Sequence, residues 1–529
     1  MVSLWGSKKD DDPEDTSASP QNGDSSDHAE PRASESNERS RLLPPPSQGY
    51  LSPDDPAVSP YNLWSVRFLR YFSVLFAIIT FLWWVLLLVS IFISPPGMHS
   101  RGSGFFDFSY TTLTLGLLLV TLLFFSTPSK AGQITSLVIS VILLIDMILI
   151  VAVSKLRVEE GWVGIASVVW ALFISIWTIF TDRTVAWGKQ EEEERLTGRS
   201  ETRRTLREWC GVLTSTVVLI VLGLVTILLT ATLILRSRDA SLAPPGQRYY
   251  VDGDKYQIHV FCEGNATTNS KGEKTPTVLF EAADGPFEGG MLQIALGAVA
   301  NGSIGRYCYS DRPGIGWSDN APSPFAASNA ADSLAEALAV AGEEGPWVLA
   351  SAGIGSIYSR VFSARQGQDV VGLLMINPLH EDLLYKVGSP QRGFLLWAWG
   401  ILSPLGLDRN FGALFKGRNR EDRVYGRSAY QGGKYIKAKL QEALVANSVT
   451  KNDAVNARHI QYKNCPLTII SSGIDVKKDK EWERKQRDMT TYTDKLVSWD
   501  IVNKAPSEVW KTFDGRVTIE KRLKELVGS

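Results

Sequence analysis

Five long apolar segments, separated by short polar ones, occupy the first half of the chain after a polar start. They lie near 71–94, 109–126, 134–153, 162–181 and 211–235. A helix needs about 20 apolar residues to cross the hydrocarbon core of a bilayer. The pattern therefore predicts a membrane domain over 64–241 with five spans, and a basic loop at 182–210 that joins the fourth span to the fifth.

The second half of the chain has a different pattern. Between 245 and 529, β-rich apolar runs alternate with helical segments, and the runs lie at 249–262, 277–281, 305–310, 347–351, 371–376, 467–472 and 496–502. Apolar strands that alternate with helices are typical of a mostly parallel sheet with helices on both faces. The expected fold is an α-helical membrane block followed by an α/β domain.

Charge and cysteine content restrict the function. The chain has 529 residues with 55 Lys and Arg against 56 Asp and Glu, a formal net charge of -1, and this balance gives no reason to expect a nucleic-acid partner. The four Cys do not show the spacing of metal ligands, and the sequence has no glycine loop of the phosphate-binding kind. We therefore expect neither a metal nor a cofactor.

The basic residues orient the predicted spans. Seven Lys and Arg residues fall in 182–210. Short loops rich in Lys and Arg face the cytosol, so the N-terminus and 182–210 are predicted to be cytosolic. Five spans then place 245–529 in the lumen. The sequons at Asn265 and Asn301 fall in this segment and are predicted glycosylation sites.

A lumenal location also affects the expectation for the cysteines. Cys262 and Cys308 lie at the ends of predicted early strands. An oxidising lumen permits a disulfide between them. Buried free thiols are the alternative, because spacing alone does not establish a pairing.

Residues 1–63 form an acidic tail with 12 acidic and five basic residues, and their low apolar content predicts disorder. Glu38, Leu42 and Leu43 resemble the acidic dileucine signal that sorting adaptors read. The resemblance implies a sorting adaptor as a partner and delivery to the vacuole or another endomembrane compartment. The endoplasmic reticulum is the alternative location, and chance is the alternative explanation of so short a motif.

One carboxylate, Asp146, lies in the middle of the third predicted span. An intramembrane acid is costly and by default suggests a functional site. The sequence favours another explanation, a neutral acid hydrogen-bonded to a neighbouring helix, because no second ionisable residue lies at comparable depth. The lack of paired charges also argues against a transporter-like role, which is an alternative function for the membrane block.

Four segments of the second half resemble the α/β-hydrolase superfamily. They read HVFCEG at 259–264, PTVLFE at 276–281, YCYSDRPGIGWS at 307–318 and GPWVLASAGIGS at 345–356. The last of them stands where the nucleophile elbow of that superfamily belongs. The resemblance implies an α/β-hydrolase fold for 245–529, and the whole layout resembles uncharacterised multi-pass membrane proteins of fungi.

The resemblance also identifies the three catalytic positions, and two of them lack the required chemistry. Gly353 stands at the position of the nucleophile, Asp475 at that of the acid and Ser507 at that of the base. Residues 460–529 contain no His, and a Ser does not replace imidazole as a general base near neutral pH. We therefore expect a hydrolase-like scaffold without the usual acyl-transfer activity.

The expected role is then binding at the former substrate cleft, coupled to the membrane block. The expected ligand of the cleft is a small molecule, a lipid or a partner molecule. The lipid bilayer around the spans is a separate expected partner. The resemblance implies four cleft residues, Asp284, Asp311, Arg312 and Gly355.

A serine hydrolase with a rearranged site is the main alternative. Ser351 or Ser356 would be its nucleophile, with Asp475 as the acid and His380 as the base. Such a site needs the base within hydrogen-bond reach of the hydroxyl. The sequence leaves that geometry open.

Overall fold

The structure is a computed structural model that describes residues 60–198, 206–268, 272 and 274–528. The predicted sorting signal at Glu38, Leu42 and Leu43 lies outside these residues. The described residues belong to one compact unit.

Five long helices, α1 to α5, form the first half. They span Trp64–Phe92, Phe105–Leu123, Lys130–Ala152, Ser154–Thr197 and Leu206–Asp239. Each is long and apolar enough to cross a membrane, which confirms the prediction of five apolar helices before the α/β domain. Large apolar side chains on their outer faces remain exposed, such as Phe81 at 50% and Ile148 at 53%, as contact with lipid requires.

The prediction of a loop at 182–210 is wrong, because most of the described residues in this segment are helical. Helices α4 and α5 enter this segment from its two ends. Lys189 stabilises the extension: its amine lies 3.8 Å from Glu193 in the next turn and 2.5 Å from Glu208 of α5. The prediction rested on apolar periodicity, which ends before the helix does, whereas Glu, Gln, Lys and Arg remain good helix formers.

Polar groups inside the helix block are bonded to neighbouring helices. The indole N–H of Trp83 in α1 donates to Ser167 of α4 at 3.1 Å. The hydroxyl of Tyr110 in α2 donates to Asp146 of α3 at 3.0 Å. Such bonds are needed because an unpaired polar group in an apolar medium is costly.

Eight strands, β1 to β8, are described in the second half. They are Gln247–Val251, Tyr256–Gly264, Thr277–Glu281, Arg306–Ser310, Trp347–Ala352, Val370–Ile376, Pro466–Ser472 and Lys495–Val502. They form one sheet in the order β1-β2-β4-β3-β5-β6-β7-β8. The pairs β1–β2 and β2–β4 are antiparallel and the other pairs are parallel, which confirms a mostly parallel sheet.

The single strand predicted at 249–262 is wrong, because the structure has a hairpin there. The turn contains Asp252, Gly253 and Asp254, whose φ angles are 54°, 64° and 64°. Successive positive φ values reverse the chain, and Asp and Gly tolerate this region better than most residues. The β-rich residues on both sides of this short turn hid it from the pattern.

Helices α6 to α17 accompany the strands. They are Phe287–Gly290, Leu292–Ala300, Ala327–Ala341, Gly355–Gln366, Pro390–Leu402, Leu407–Phe415, Arg420–Val424, Gly433–Val445, Lys451–Ile460, Gly473–Lys478, Lys480–Met489 and Phe513–Gly528. Successive strand residues point to opposite faces, so Leu279 and Leu349 join one buried cluster and Val278 and Val348 join the other. Both faces of the sheet are therefore covered.

The two halves of the chain are hydrogen-bonded to each other. Arg101, between α1 and α2, donates to the carbonyl oxygens of Lys255 at 2.8 Å and Asp254 at 2.7 Å. The side-chain amide of Asn320 donates to the carbonyl oxygen of Gly102 at 2.6 Å. Helices α10 to α13, residues 390–445, are inserted between β6 and β7 and are called the cap below.

Candidate functional site

The turn between β5 and α9 has the geometry of an elbow with no side chain at its tip. Gly353 at the tip has a φ of 52°, and its N–H donates to the carbonyl oxygen of Ile376 at 3.0 Å. A Cβ added at Gly355 would overlap the carbonyl oxygen of Ala282, so only glycine fits there. The close packing of the elbow is therefore present, but the position of the nucleophile offers no oxygen.

Asn377, directly after β6, contacts the residues at the other two catalytic positions, Asp475 and Ser507. Its side-chain nitrogen donates to Asp475 Oδ2 at 2.9 Å and to the carbonyl oxygen of Ser507 at 3.4 Å. Its side-chain oxygen accepts from the N–H of Ser472 and from the indole of Trp482, both at 3.2 Å. Asp475 is thus bonded to a neutral amide, and sequence reasoning did not identify Asn377.

The two alternative serine nucleophiles are buried. The Ser356 hydroxyl donates to the carbonyl oxygen of Gly353 at 2.7 Å and accepts from the N–H of Leu379 at 3.2 Å, so it fixes the elbow. The Ser351 hydroxyl, on β5, has no hydrogen-bond partner among the described residues. Neither hydroxyl is bonded to a histidine in the described structure.

His380 has partners of its own. Its Nε2 lies 2.9 Å from Asp488 Oδ2, and its Nδ1 accepts from the N–H of Asp382 at 3.0 Å. The next residue, Glu381, pairs with the buried Arg360 at 2.8 Å. Both ring nitrogens are therefore engaged, and His380 belongs to a charged cluster between α9 and α16.

The cap brings charges of its own to the end of β3. Arg312 donates to Glu281 at 2.7 Å, and its Nε lies 3.6 Å from the carboxylate of Glu442 in α13. Lys439 of the same helix lies 2.7 Å from Glu442 and 3.1 Å from Asp284, and its charge lowers the pKa of Asp284. Two of the predicted cleft residues, Arg312 and Asp284, are thus held in ion pairs with the cap.

Asp311 is held separately, against a buried histidine. Its Oδ2 lies 3.1 Å from Nδ1 of His259 and accepts the N–H of Trp317 at 3.1 Å. Burial opposes the charged imidazole, but the hydrogen bond and charge of Asp311 outweigh it and raise the pKa of His259. The Ser318 hydroxyl accepts from the His259 N–H at 2.8 Å and donates to the Asp311 carbonyl oxygen at 2.6 Å. These bonds close the turn after β4. The role of the His259–Asp311 pair is therefore to stabilise this turn.

The predicted modification sites lie in the α/β domain. Cys262 and Cys308 face each other across β2 and β4 and form a disulfide. The sequon residues Asn265 and Asn301 are exposed. Both asparagines are therefore accessible for modification.

Solved α/β hydrolases are similar to the second half of the chain. An α/β hydrolase enzyme from a deep-sea metagenome library has a TM-score of 0.38 at 12% identity and covers 54% of this chain and 98% of its own. The Cif epoxide hydrolase from Acinetobacter nosocomialis has a TM-score of 0.41 at 14% identity and covers 57% of this chain and 96% of its own. The domain itself is an α/β fold, with one eight-stranded, mostly parallel sheet and helices between its strands.

Relatives extend over both halves. An uncharacterized protein of Schizosaccharomyces pombe is 34% identical over 530 residues, which are 94% of this chain and 97% of the relative. An uncharacterized vacuolar membrane protein of Saccharomyces cerevisiae is 29% identical over 328 residues, which are 53% of this chain and 50% of the relative. A family model described as a region of unknown function (DUF2417) matches residues 32–262. Because the fission-yeast relative matches over nearly its whole length, this chain belongs to the DUF2417 family, whose function is unknown.

Proposed function

We propose that the α/β domain binds a ligand and does not catalyse acyl transfer. The observation that carries this proposal is Gly353 at the tip of the elbow, where the reaction needs a nucleophilic oxygen. The bond from Asn377 to Asp475 supports it, because an amide does not act as a general base. A hydrolase without its nucleophile and base keeps little of its rate enhancement.

A rearranged hydrolase has weaker support. Ser351 is the one candidate with an unengaged hydroxyl in the described structure, but it lies within β5 and is fully buried. Ser356 and His380 are both engaged elsewhere. Ser351 would need a base within hydrogen-bond reach, and the described contacts supply none.

The full-length chain in detergent, treated with a fluorophosphonate probe, tests the proposal. We expect no labelling above that of the heat-denatured chain, because no serine hydroxyl among the described residues is bonded to an imidazole that could activate it. Ser351→Ala and Ser356→Ala serve as matched variants. Labelling that disappears in one of them would overturn the proposal and favour the rearranged hydrolase.

We further propose that the chain resides in the vacuolar membrane with its α/β domain in the lumen. The name of the Saccharomyces cerevisiae relative and the predicted signal around Leu42 and Leu43 support the compartment. The basic residues of 182–210 support the orientation. Imaging of the Leu42→Ala/Leu43→Ala variant tests the sorting signal, and an unchanged vacuolar distribution would remove it from the proposal.

The lumenal orientation has its own test. A glycosidase should shift the gel mobility of the wild-type chain. The shift should disappear in an Asn265→Gln/Asn301→Gln variant, because the lumen is the compartment in which sequons are modified. Protection of the α/β domain from protease in intact vacuoles is the second measurement, and its cleavage there would contradict the orientation.

A further inference from the structure

Two cap helices lie beside the spans. A Cβ added at Gly400 of α10 would overlap the ring of Phe105 in α2. The side-chain amide of Asn410 in α11 donates to Thr232 of α5 at 3.1 Å. Thr232 precedes the end of α5 at Asp239 by about 10 Å, at 1.5 Å per helical residue. Helix α11 therefore packs against the last two turns of α5, beside the ends of the spans.

The outer faces of α10 and α11 are apolar and exposed. Six large side chains are between 50% and 77% exposed: Phe394, Leu395, Trp399, Phe411, Leu414 and Phe415. In water such a surface is unfavourable, whereas an interfacial helix buries it among acyl chains. Its continuity with α2 and α5 identifies the covering as the bilayer leaflet on the side of the α/β domain.

A polar cavity of about 100 Å³ lies between this part of the cap and the ends of the spans. Its walls include two carboxylates and five basic side chains, Lys155, Arg236, Arg409, Arg423 and Lys434. A water needs roughly 10 to 15 Å³ of such space. The cavity therefore holds several water-sized groups, enough for a phosphate.

Only part of this positive charge is neutralised. Arg236 pairs with Glu159 at 2.7 Å and with Glu160 at 2.5 Å. Asp239 is held by Arg423 through contacts of 2.6 and 3.0 Å. These pairs account for both carboxylates of the cavity wall.

Arg409 and Lys434 are left with weak neutralisation. Arg409 reaches Asp239 only at 3.4 Å, and its Nε has no partner in the described structure. Burial lowers the pKa of Arg409 to about 10. Lys434 donates to the carbonyl oxygen of Gly316 at 3.0 Å. A buried charge of this kind is stabilised by an anion of good geometry.

A second, apolar crevice of about 40 Å³ adjoins the cavity. Its walls include Trp399, Leu402 and Leu407. Ser403 and Arg409 belong to the walls of both spaces. A cavity with charged walls therefore adjoins an apolar crevice, at the border of the exposed face of α10 and α11.

We propose that the two spaces together bind a lipid with an anionic phosphate headgroup. The phosphate lies between Arg409 and Lys434, and an acyl chain follows the crevice to the leaflet. The inference rests on the proposed ligand-binding role and moves the ligand from the former catalytic cleft to the contact between the two halves. Fluorophosphonate labelling would overturn the non-catalytic role without affecting lipid binding, so the two failures are distinguishable.

Native mass spectrometry of the full-length chain in detergent tests the site, with dioleoyl phosphatidic acid, dioleoyl phosphatidylcholine and inorganic phosphate as probes. We expect phosphatidic acid to bind about tenfold more tightly than phosphatidylcholine. Arg409→Gln should weaken phosphatidic acid binding about tenfold. Arg420→Gln, which removes an exposed arginine from the adjacent α12, is the matched control and should leave it unchanged.

A second pair of variants tests the apolar crevice. Trp399→Ala should weaken phosphatidic acid binding, whereas Phe394→Ala, on the same helix but outside the crevice, should not. Equal binding of the two lipids would overturn the proposal. A second outcome would overturn the proposal of a lipid ligand and leave a site for a free anion. In that outcome inorganic phosphate binds as tightly as phosphatidic acid, and Trp399→Ala has no effect. If Arg409→Gln lowers the melting temperature of the chain, Lys434→Gln is the substitute variant. It should likewise weaken phosphatidic acid binding about tenfold.

Discussion

Asn377 donates a hydrogen bond from Nδ2 to Oδ2 of Asp475 across 2.9 Å. The contact joins the end of β6 to the first turn after β7, at the edge of the sheet where ligands bind in open parallel folds. The residue at the acid position therefore has an amide as its partner and orients a loop.

Asn377→Ala is expected to lower the free energy of unfolding by about 1 to 3 kcal/mol, because buried donors and acceptors lose their partner. The φ of 43° at this position adds to the loss, since Ala tolerates the left-handed region poorly. Thermal unfolding of the full-length chain measures it. Asn447→Ala, which removes an exposed amide bonded to Gly388, is the control and should cost little. Equal effects of the two changes would contradict the role of Asn377.

Gly353→Ser is expected to give a chain that fluorophosphonate still does not label. The new hydroxyl would have no base, because Asn377 and not a histidine adjoins Asp475. The φ of 52° and a Cβ placed 3.3 Å from that of Ala283 should also destabilise the turn by about 1 to 2 kcal/mol. Activity-based labelling and thermal unfolding check the two outcomes. Strong labelling of this variant would show that a base is present.

Asp146→Asn should be tolerated, whereas Asp146→Leu should not. The hydroxyl of Tyr110 donates to Asp146, and an asparagine oxygen accepts the same bond. Leucine would leave that hydroxyl buried and unpaired, at a cost of about 1 to 3 kcal/mol. Melting temperatures in detergent, with Asp146→Leu/Tyr110→Phe as the double variant, measure this. The double variant should recover part of the loss, and no recovery would contradict the pairing.

Lys437→Met should stabilise the chain more in mild acid than in alkali. Burial between the cap and α1 lowers the pKa of Lys437 from 10.5 to about 7. Between these values the unfolded chain binds one proton more than the folded chain, so stability rises with pH, and below about pH 7 the cost is fully present. Lys437→Met should raise the free energy of unfolding by on the order of a few kcal/mol at about pH 6, and this increase should shrink towards about pH 10.

Thermal unfolding at these two pH values checks the Lys437 prediction. Lys416→Met, at an exposed lysine of the cap, is the matched control and should change the melting temperature little at either value. The same gain from Lys437→Met in acid and in alkali would contradict a buried neutral amine.

The sequence predicted those features that follow from local patterns. Apolar segments long enough for a bilayer located the five helices, and continuous apolar runs located most of the strands. The position of Gly353 at the elbow came from the resemblance of 345–356 to the α/β-hydrolase superfamily and not from a local period. The polar extension of α4 was missed because the apolar pattern ends before the helix does, although Glu, Gln, Lys and Arg are good helix formers.

The partners of the candidate site depend on tertiary structure. Asn377 gave only the weak signal of a polar residue directly after a buried strand, and its four bonds come from segments about 100 residues away in sequence. The docking of Asn410 against Thr232 likewise joins residues 178 positions apart. No local period carries such information, so the position of the cap beside the spans was not predicted.

The vacancy at Gly353 has a consequence for the recovery of hydrolysis. Under the proposed non-catalytic role, recovery of hydrolysis would require a hydroxyl at 353, an imidazole near 507 and the release of Asp475 from Asn377. Each of these changes alone would yield an inert protein, and the last would also sacrifice stability. Under that role, no single substitution in this chain would therefore confer hydrolysis.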